Sequence, residues 1–228
     1  MNLIVGIDGT GAAFTPSASR NRQYDLDFAN SFVKRIAGRA GANHKYFRGP
    51  VAAGGGLVAA VSGGYSFIKR NVTNSRTPKK VLLTGYSRGA AGAVAIAAKL
   101  KKANIAVDAL LLFDCVDRHI VIDAEIIPNN VVECLHLIRD PKSSSRGSFS
   151  NDAMKYRVPT VVNCYKFLCT HGGMGGMPWT KPNDKKGTDL IDEGGIDGMT
   201  TITYAEDVRV SGVIWQYIQP FCSKHGFL

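Results

Sequence analysis

Gly85-Tyr86-Ser87-Arg88-Gly89 fits the pattern G-x-S-x-G, in which a serine hydroxyl stands on a sharp turn between a strand and a helix. Both flanks are present. Val81-Leu82-Leu83-Thr84 is a short apolar run with strand character, and residues 88–102 (RGAAGAVAIAAKLKK) read as an alanine-dense helix whose closing lysines suit the negative end of the helix dipole. Glycines two places before and two after the serine let strand and helix pass closely, and Ala90 and Ala91 keep the next turn slim. The helix N-terminus then offers N–H groups and partial positive charge beside Oγ, where an oxyanion would form. The chemistry is nucleophilic attack on an acyl carbonyl.

Such a serine needs a base, and the base an orienting acid. On a strand–turn–helix scaffold the chain order is Ser, then Asp or Glu, then His. His44 precedes the serine, His136 lies within a strand-like run, His119 sits too near the acid, and His225 lies at an end expected to fray. His171 remains, opening the loop Gly172-Gly173-Met174-Gly175-Gly176, where glycines let the backbone crowd a site. For the acid, Asp114 ends the run that follows the elbow helix and is preferred. Asp140 ends the next run and is the alternative; Asp117 is a third choice. The oxyanion donors are the N–H of Arg88 and one from Gly9 or Thr10, in the turn Asp8-Gly9-Thr10-Gly11 after the first apolar run. The same turn can be read as a plain tight turn or as a phosphate loop, the latter weakly, since neither G-x-x-x-x-G-K-[ST] nor G-x-G-x-x-G occurs there. The scheme needs no metal and no cofactor.

The elements that must position these groups follow from the pattern of apolar residues. Leu3–Ile7, Val81–Thr84, Ala109–Phe113, Val131–Ile138 and Val161–Phe167 read as buried strands. Helices are expected over 25–40, from Tyr65 through Ile68 after a Gly/Ala-rich stretch, over 88–102, and over 205–219, stopping before Pro220. Strands alternating with helices predict an α/β fold, a three-layer sandwich around a mostly parallel sheet, resembling the α/β-hydrolases. The whole chain, 1–228, is expected to form one such domain. Two polar, Gly/Pro/Lys-rich stretches, 140–159 and 172–203, read as functional loops or lids. Met174, Met177, Pro178 and Trp179 in the second are candidates for an apolar lid or acyl pocket.

Composition sets the remaining bounds. A chain of 228 residues with 45% hydrophobic and 20% charged residues can bury a core unaided, which excludes disorder for its bulk. No apolar run is long enough for a transmembrane helix, and the start MNLIVGIDGT lacks the features of a signal peptide. The expected location is cytoplasmic, with specialised export also compatible. Five cysteines, an odd number mostly within apolar runs, suit reduced core thiols. The net charge of +10 favours polyanions, an anionic membrane surface among them. Its lysines and arginines are scattered in short pairs without interleaved aromatics, so nucleic acid is not an expected partner. The expected ligand is a small-molecule or lipid ester; the oligomeric state is left open.

Four segments in order, GIDGTG, GYSRGA, LFDCVD and THGGMGG, resemble the DUF2235 α/β-hydrolases, a family that includes the type VI secretion phospholipase effectors of the Tle1 group. Arginine directly after the elbow serine is the more specific part. The resemblance covers the catalytic skeleton alone. It implies a Ser-Asp-His triad carried by Ser87, Asp114 and His171, and action on ester bonds, in some members those of phospholipids. Two positions depart from the pattern: Cys115 stands where a threonine is expected, and Gly173 where the loop has an aspartate. A catalytically idle scaffold serving as an interaction module is the rival reading.

Overall fold

A computed structural model describes residues 2–11, 18–51, 55–75, 77, 79–119, 121–149, 151–178, 186–194 and 198–228. Its strands are β1 (Asn2–Ile7), β2 (His44–Phe47), β3 (Lys80–Tyr86), β4 (Val107–Phe113), β5 (Ile126–Ile127), β6 (Val131–Arg139), β7 (Lys155–Tyr156), β8 (Val161–Phe167), β9 (Leu190–Asp192) and β10 (Met199–Thr203). Six of them form one sheet in the order β2-β1-β3-β4-β6-β8, and every neighbouring pair is parallel. β5 pairs with β7, and β9 with β10, outside that sheet. The elbow strand β3 lies centrally between β1 and β4.

The helices are α1 (Ala18–Asp27), α2 (Phe32–Ala37), α3 (Leu57–Thr73), α4 (Arg88–Lys102), α5 (His171–Met174) and α6 (Tyr204–His225). They cover the two faces of the sheet, and the period-2 alternation of the strands assigns each side chain its layer. Leu83, Leu110 and Leu112 pack with Val61 and Ile68 of α3 and Ala90, Val94 and Ala97 of α4. Leu82, Leu111 and Phe113 pack on the other face with Phe32, Val33 and Ile36 of α2 and Val210, Ile214 and Ile218 of α6. Burial on both faces is why β3 and β4 are continuous apolar runs. This is the three-layer α/β architecture expected from the sequence.

Three boundaries differ from expectation. The periodic stretch 25–40 is two helices, because α1 ends at Asp27 and Ser31 caps α2, its Oγ accepting from the Lys34 N–H; Leu26, counted in the apolar stripe, is exposed. α3 begins eight residues earlier than Tyr65, at Leu57. Gly64, inside it, lies against α4: a β-carbon there would stand 2.6 Å from Ile96 Cδ1. The last helix continues through Pro220 to His225, and a left-handed Gly226 closes it. Pro220 is on the solvent side, where a helix tolerates a lost hydrogen bond best. The Gln219 carboxamide donates to the Trp215 carbonyl at 2.9 Å in the disturbed turn.

The end of the chain is correspondingly fixed. His225 Nε2 lies 3.0 Å from Glu133 Oε2, Asn2 Nδ2 donates to the Gly226 carbonyl at 3.0 Å, and Phe227 is fully buried. His225 is thus a packed, paired side chain. Among the described residues, no helix is long and apolar enough to cross a membrane.

Candidate active site

The loops that carry the candidate residues all leave the carboxyl edge of the parallel sheet: Asp8–Gly11 after β1, Ser87 after β3, Asp114 after β4, the 140s after β6 and His171 after β8. Ser87 has φ 55° and ψ −127°, a strained backbone for a residue with a side chain. Sterics enforce the bend. A β-carbon at Gly89 would lie 2.2 Å from the carbonyl oxygens of both Ile7 and Asp8, and one at Gly85 would lie 2.5 Å from the Gly89 carbonyl oxygen. The main chain of the elbow is also tied across the edge: the Ser87 N–H donates to the Phe113 carbonyl at 2.9 Å, and the Val116 N–H to the Ser87 carbonyl at 3.2 Å.

Ser87, His171 and Asp114 form one hydrogen-bonded row. Ser87 Oγ is 2.9 Å from His171 Nε2, and His171 Nδ1 is 2.6 Å from Asp114 Oδ2. The three side chains are buried. Asp140 does not join them; its carboxylate caps the short turn Pro141–Ser143, accepting from the Lys142 N–H at 2.9 Å. Asp117 accepts from the N–H groups of His119 and Ala124 and so holds its own loop. His136 is a core histidine: its Nε2 accepts from the Cys115 N–H at 3.2 Å, and burial lowers it to about 4.

His171 is held on every side by contacts the sequence did not announce. Its N–H donates to Ser145 Oγ at 2.7 Å, its carbonyl accepts from Tyr86 Oη at 2.9 Å, and Phe149 meets its ring edge-on at 5.9 Å. It opens α5, which Thr170 caps by accepting from the Gly173 N–H. Thr170 in turn donates through N–H and Oγ1 to Asp207 of α6, each at 2.7 Å. The missing side chain at Gly173 has a spatial explanation, since a β-carbon there would stand 2.3 Å from Asp207 Oδ1.

Asp114 collects four hydrogen bonds from three residues. Besides His171, Arg139 donates to Oδ2 through its guanidinium and to Oδ1 through its main-chain N–H at 3.2 Å, and Asn151 Nδ2 donates to Oδ1 at 2.6 Å. Burial alone would raise this carboxyl, but the hydrogen bond and charge of His171, together with Arg139, hold it well below the usual carboxylate range. Arg139 is fixed by the carbonyls of Ser145, Arg146 and Phe149. Arg139 and Asn151, missed in the sequence, lie in or beside the stretch 140–159, which serves here as the support of the acid.

The turn after β1 lies against the elbow. A β-carbon at Gly9 would lie 3.4 Å from Ser87 Cβ. The Gly9 N–H is not available as an oxyanion donor, because it donates to Asp8 Oδ1 at 3.1 Å; Thr10 and Arg88 remain and border the same cavity as Ser87. Asp8 is fully buried, and burial lifts its carboxyl to about 6 against hydrogen bonds from Ser31, Tyr46 and Gly9.

That cavity, about 1230 Å³, runs from Ser87 and His171 past Phe32, Met177, Val208 and Trp215. Met177 and Pro178 line it, in keeping with an acyl pocket, whereas Met174 is fully buried in the core beneath. Trp179 lies outside the described residues. An imidazole placed between a buried carboxylate and a strained serine can take the hydroxyl proton while the oxygen attacks a carbonyl carbon, then return that proton to the leaving group.

No protein-family model matches the chain, and no curated protein matches its sequence. Among solved structures it is similar to the Tle1 effector bound to the VgrG spike from the type 6 secretion system, with 16% identity, a TM-score of 0.47, and coverage of 79% of this chain and 52% of that one. It is also similar to an uncharacterized protein from Pseudomonas aeruginosa (15% identity, TM-score 0.42, 77% of this chain and 42% of that one). ClbQ from the colibactin NRPS/PKS pathway is a third (11% identity, TM-score 0.40, 77% and 91%). The chain spans about half the length of the first of these.

Proposed function

We propose that the protein is a serine hydrolase of carboxylic esters, with Ser87 as nucleophile, His171 as general base and then acid, and Asp114 as the orienting carboxylate. The observation that carries this reading is the unbroken row from Ser87 Oγ to His171 Nε2 at 2.9 Å and from His171 Nδ1 to Asp114 Oδ2 at 2.6 Å, at a strained elbow. As Oγ bonds to the acyl carbon, its proton passes to Nε2, and Asp114 stabilises the imidazolium that forms. The main-chain N–H groups of Arg88 and Thr10 receive the oxyanion, a contribution of about 3–4 kcal/mol for one such donor. Collapse expels the alcohol with the proton from Nε2, and water, activated by the same imidazole, releases the acid.

The apolar part of the cavity, with Phe32, Met177, Val208 and Trp215, suits an acyl chain. The test is a fluorophosphonate probe together with an ester panel from short p-nitrophenyl esters to phospholipids, run beside Ser87→Ala. Stoichiometric labelling and hydrolysis, both lost in the variant, support the enzyme. A folded protein that takes no label and cleaves nothing on the panel leaves the interaction-module reading in its place.

A further inference from the structure

The three members of the row are supported unequally. Ser87 and Asp114 leave β3 and β4, interior strands with a hydrogen-bonded neighbour on each side. His171 instead follows β8, the strand at the edge of the sheet, and only Leu168, Cys169 and Thr170 carry the chain from that edge to the imidazole. An imidazole that meets Ser87 Oγ at 2.9 Å and Asp114 Oδ2 at 2.6 Å at once has no slack along its length. Its main chain must therefore be fixed from outside the sheet.

Asp207 of α6 is fully buried at that place. Its Oδ1 accepts from the Thr170 N–H and its Oδ2 from Thr170 Oγ1, each at 2.7 Å, and Oγ1 in turn accepts from the Gly173 N–H at 3.0 Å. One carboxylate thus fixes the main chain and the side chain of the residue before His171, and through that side chain the turn after it. An acidic residue in the first turn of a helix commonly serves the helix dipole. Here the exposed Glu206 does so and completes the capping box with Thr203, whereas Asp207 is turned inward, where a carboxylate needs donors to hold it. The opposite loop leaves it room: a β-carbon at Gly173 would stand 2.3, 2.6 and 2.7 Å from Oδ1, Cγ and Oδ2.

We infer that Asp207 is a positioning residue for the general base, acting through Thr170 to hold His171 in line with Ser87 and Asp114. This rests on the triad reading above. Asp207 does not border the cavity, although Tyr204, Val208 and Ser211 of the same helix do. Its loss therefore acts on the chemical step and not on the binding of the ester.

The experiment measures kcat and KM on a p-nitrophenyl ester, the urea midpoint, and, by NMR, the His171 Nδ1–H proton, which the short bond to Asp114 moves far downfield. Thr170→Val removes the hydroxyl and keeps the shape; Asp207→Ala removes the carboxylate. Each should lower kcat by about tenfold to a hundredfold with KM nearly unchanged, and the Nδ1–H signal should broaden or vanish through exchange with water. Thr170→Ser keeps the hydroxyl and should recover most of the loss seen in Thr170→Val. Gly173→Ala should reproduce the loss in the native background, by striking the carboxylate, and add nothing in Asp207→Ala, where the carboxylate is gone. Ile218→Val, a core truncation on the same helix, should lower the urea midpoint and leave kcat unchanged. An unchanged kcat in Thr170→Val and Asp207→Ala, or a loss no larger than Ile218→Val shows at an equal drop in midpoint, overturns the assignment. A native protein that cleaves no ester overturns the triad reading instead, and the NMR signal then decides alone. Its loss in Thr170→Val supports Asp207 as the anchor of the His171–Asp114 bond, and its persistence removes that role.

Discussion

Arg139 and His171 meet on the same oxygen of Asp114: the guanidinium and the imidazole Nδ1 both address Oδ2, while Oδ1 is taken by Asn151 and the Arg139 main chain. The carboxylate is thus clamped at both ends, and its orientation toward the imidazole is set by β6 and the loop after it. Arg139 is buried, and each of its three guanidinium nitrogens is engaged, by Asp114 or by one of three carbonyls. Arg139→Met leaves the Asp114 charge partly uncompensated and frees those carbonyls. It is expected to destabilise the fold by about 3–5 kcal/mol, as removal of one partner from a buried ion pair does. Urea unfolding checks the loss, and Arg139→Lys, which retains the charge but not the fork, should fall between variant and parent.

Asp114→Asn tests the row itself. With an amide in place of the carboxylate, the histidine is held in the wrong tautomer and its cation is not stabilised. A drop in kcat of about 10⁴ is expected on any ester the native protein cleaves. Asp140→Asn touches only the cap of a surface turn and should leave kcat unchanged, so the two variants separate the acids that the sequence could not rank decisively.

What could be read in advance divides along a physical line. The sheet was legible because its central strands are buried on both faces and therefore appear as bare apolar runs, VLLTGY and VDALLLF. Ser87 was legible because an elbow constrains its neighbours to small residues within a few positions. His171 and Asp114 followed from chain order and from their places after strands. Arg139, Ser145 and Asn151 were not legible. Arg139 is the last residue of β6, where its role depends on the carbonyls that the following loop brings to it. Ser145 and Asn151 are polar residues of that loop, brought to the triad only by its return over the carboxyl edge. The helix through Pro220 was missed because tertiary packing of Ile214, Ile218 and Cys222 carries it past a local stop signal. The break at Ser31 was missed because Leu26 and Phe28 imitate a continuing stripe.

The elbow predicts two opposite outcomes for the same kind of substitution. At Gly89 a methyl group would strike the main-chain oxygens of Ile7 and Asp8 at 2.2 Å, atoms that cannot yield without shifting β1. Gly89→Ala should therefore cost about 3 kcal/mol or more and abolish labelling of Ser87. At Gly212, on the exposed side of α6, nothing lies within 4 Å of the added carbon. Gly212→Ala should instead stabilise by about 0.5–1 kcal/mol through helix propensity. Thermal unfolding of the two variants reads both signs.

Asp8 gives the stability a dependence on pH with a definite direction. Burial lifts its carboxyl from 3.8 to about 6, so between these values the folded chain holds a proton that the unfolded chain has released. Stability from this group is greatest below about pH 4 and falls as the pH rises toward 6, by about 3 kcal/mol in all. Asp207, also lifted to about 6 by burial, acts in the same direction. Asp114, held low, acts oppositely, its contribution being lost as the solution is acidified below the ordinary carboxylate range. Asp8→Asn removes one titration from the window. Urea midpoints between about pH 4.5 and pH 7 should therefore fall less steeply for the variant than for its parent, and equal slopes would refute the assignment to Asp8.

The cysteines offer a check on the packing of both faces at once. Cys115, Cys134, Cys169 and Cys222 are buried, while Cys164 on the edge strand β8 is exposed, and all five are free thiols. Burial pushes Cys134 and Cys115 far up, and Cys222 to about 12, which suppresses the reactive thiolate as well as its access. Cys164 is also raised by partial burial, with Lys166 pulling the other way, so it reacts slowly for an exposed thiol but ahead of the rest. Titration of the native protein with a disulfide reagent should consume a single equivalent, lost in Cys164→Ser, and guanidinium should release the remaining four. A second fast equivalent in the native state would mean that one of the layers over the sheet opens on the time scale of the assay.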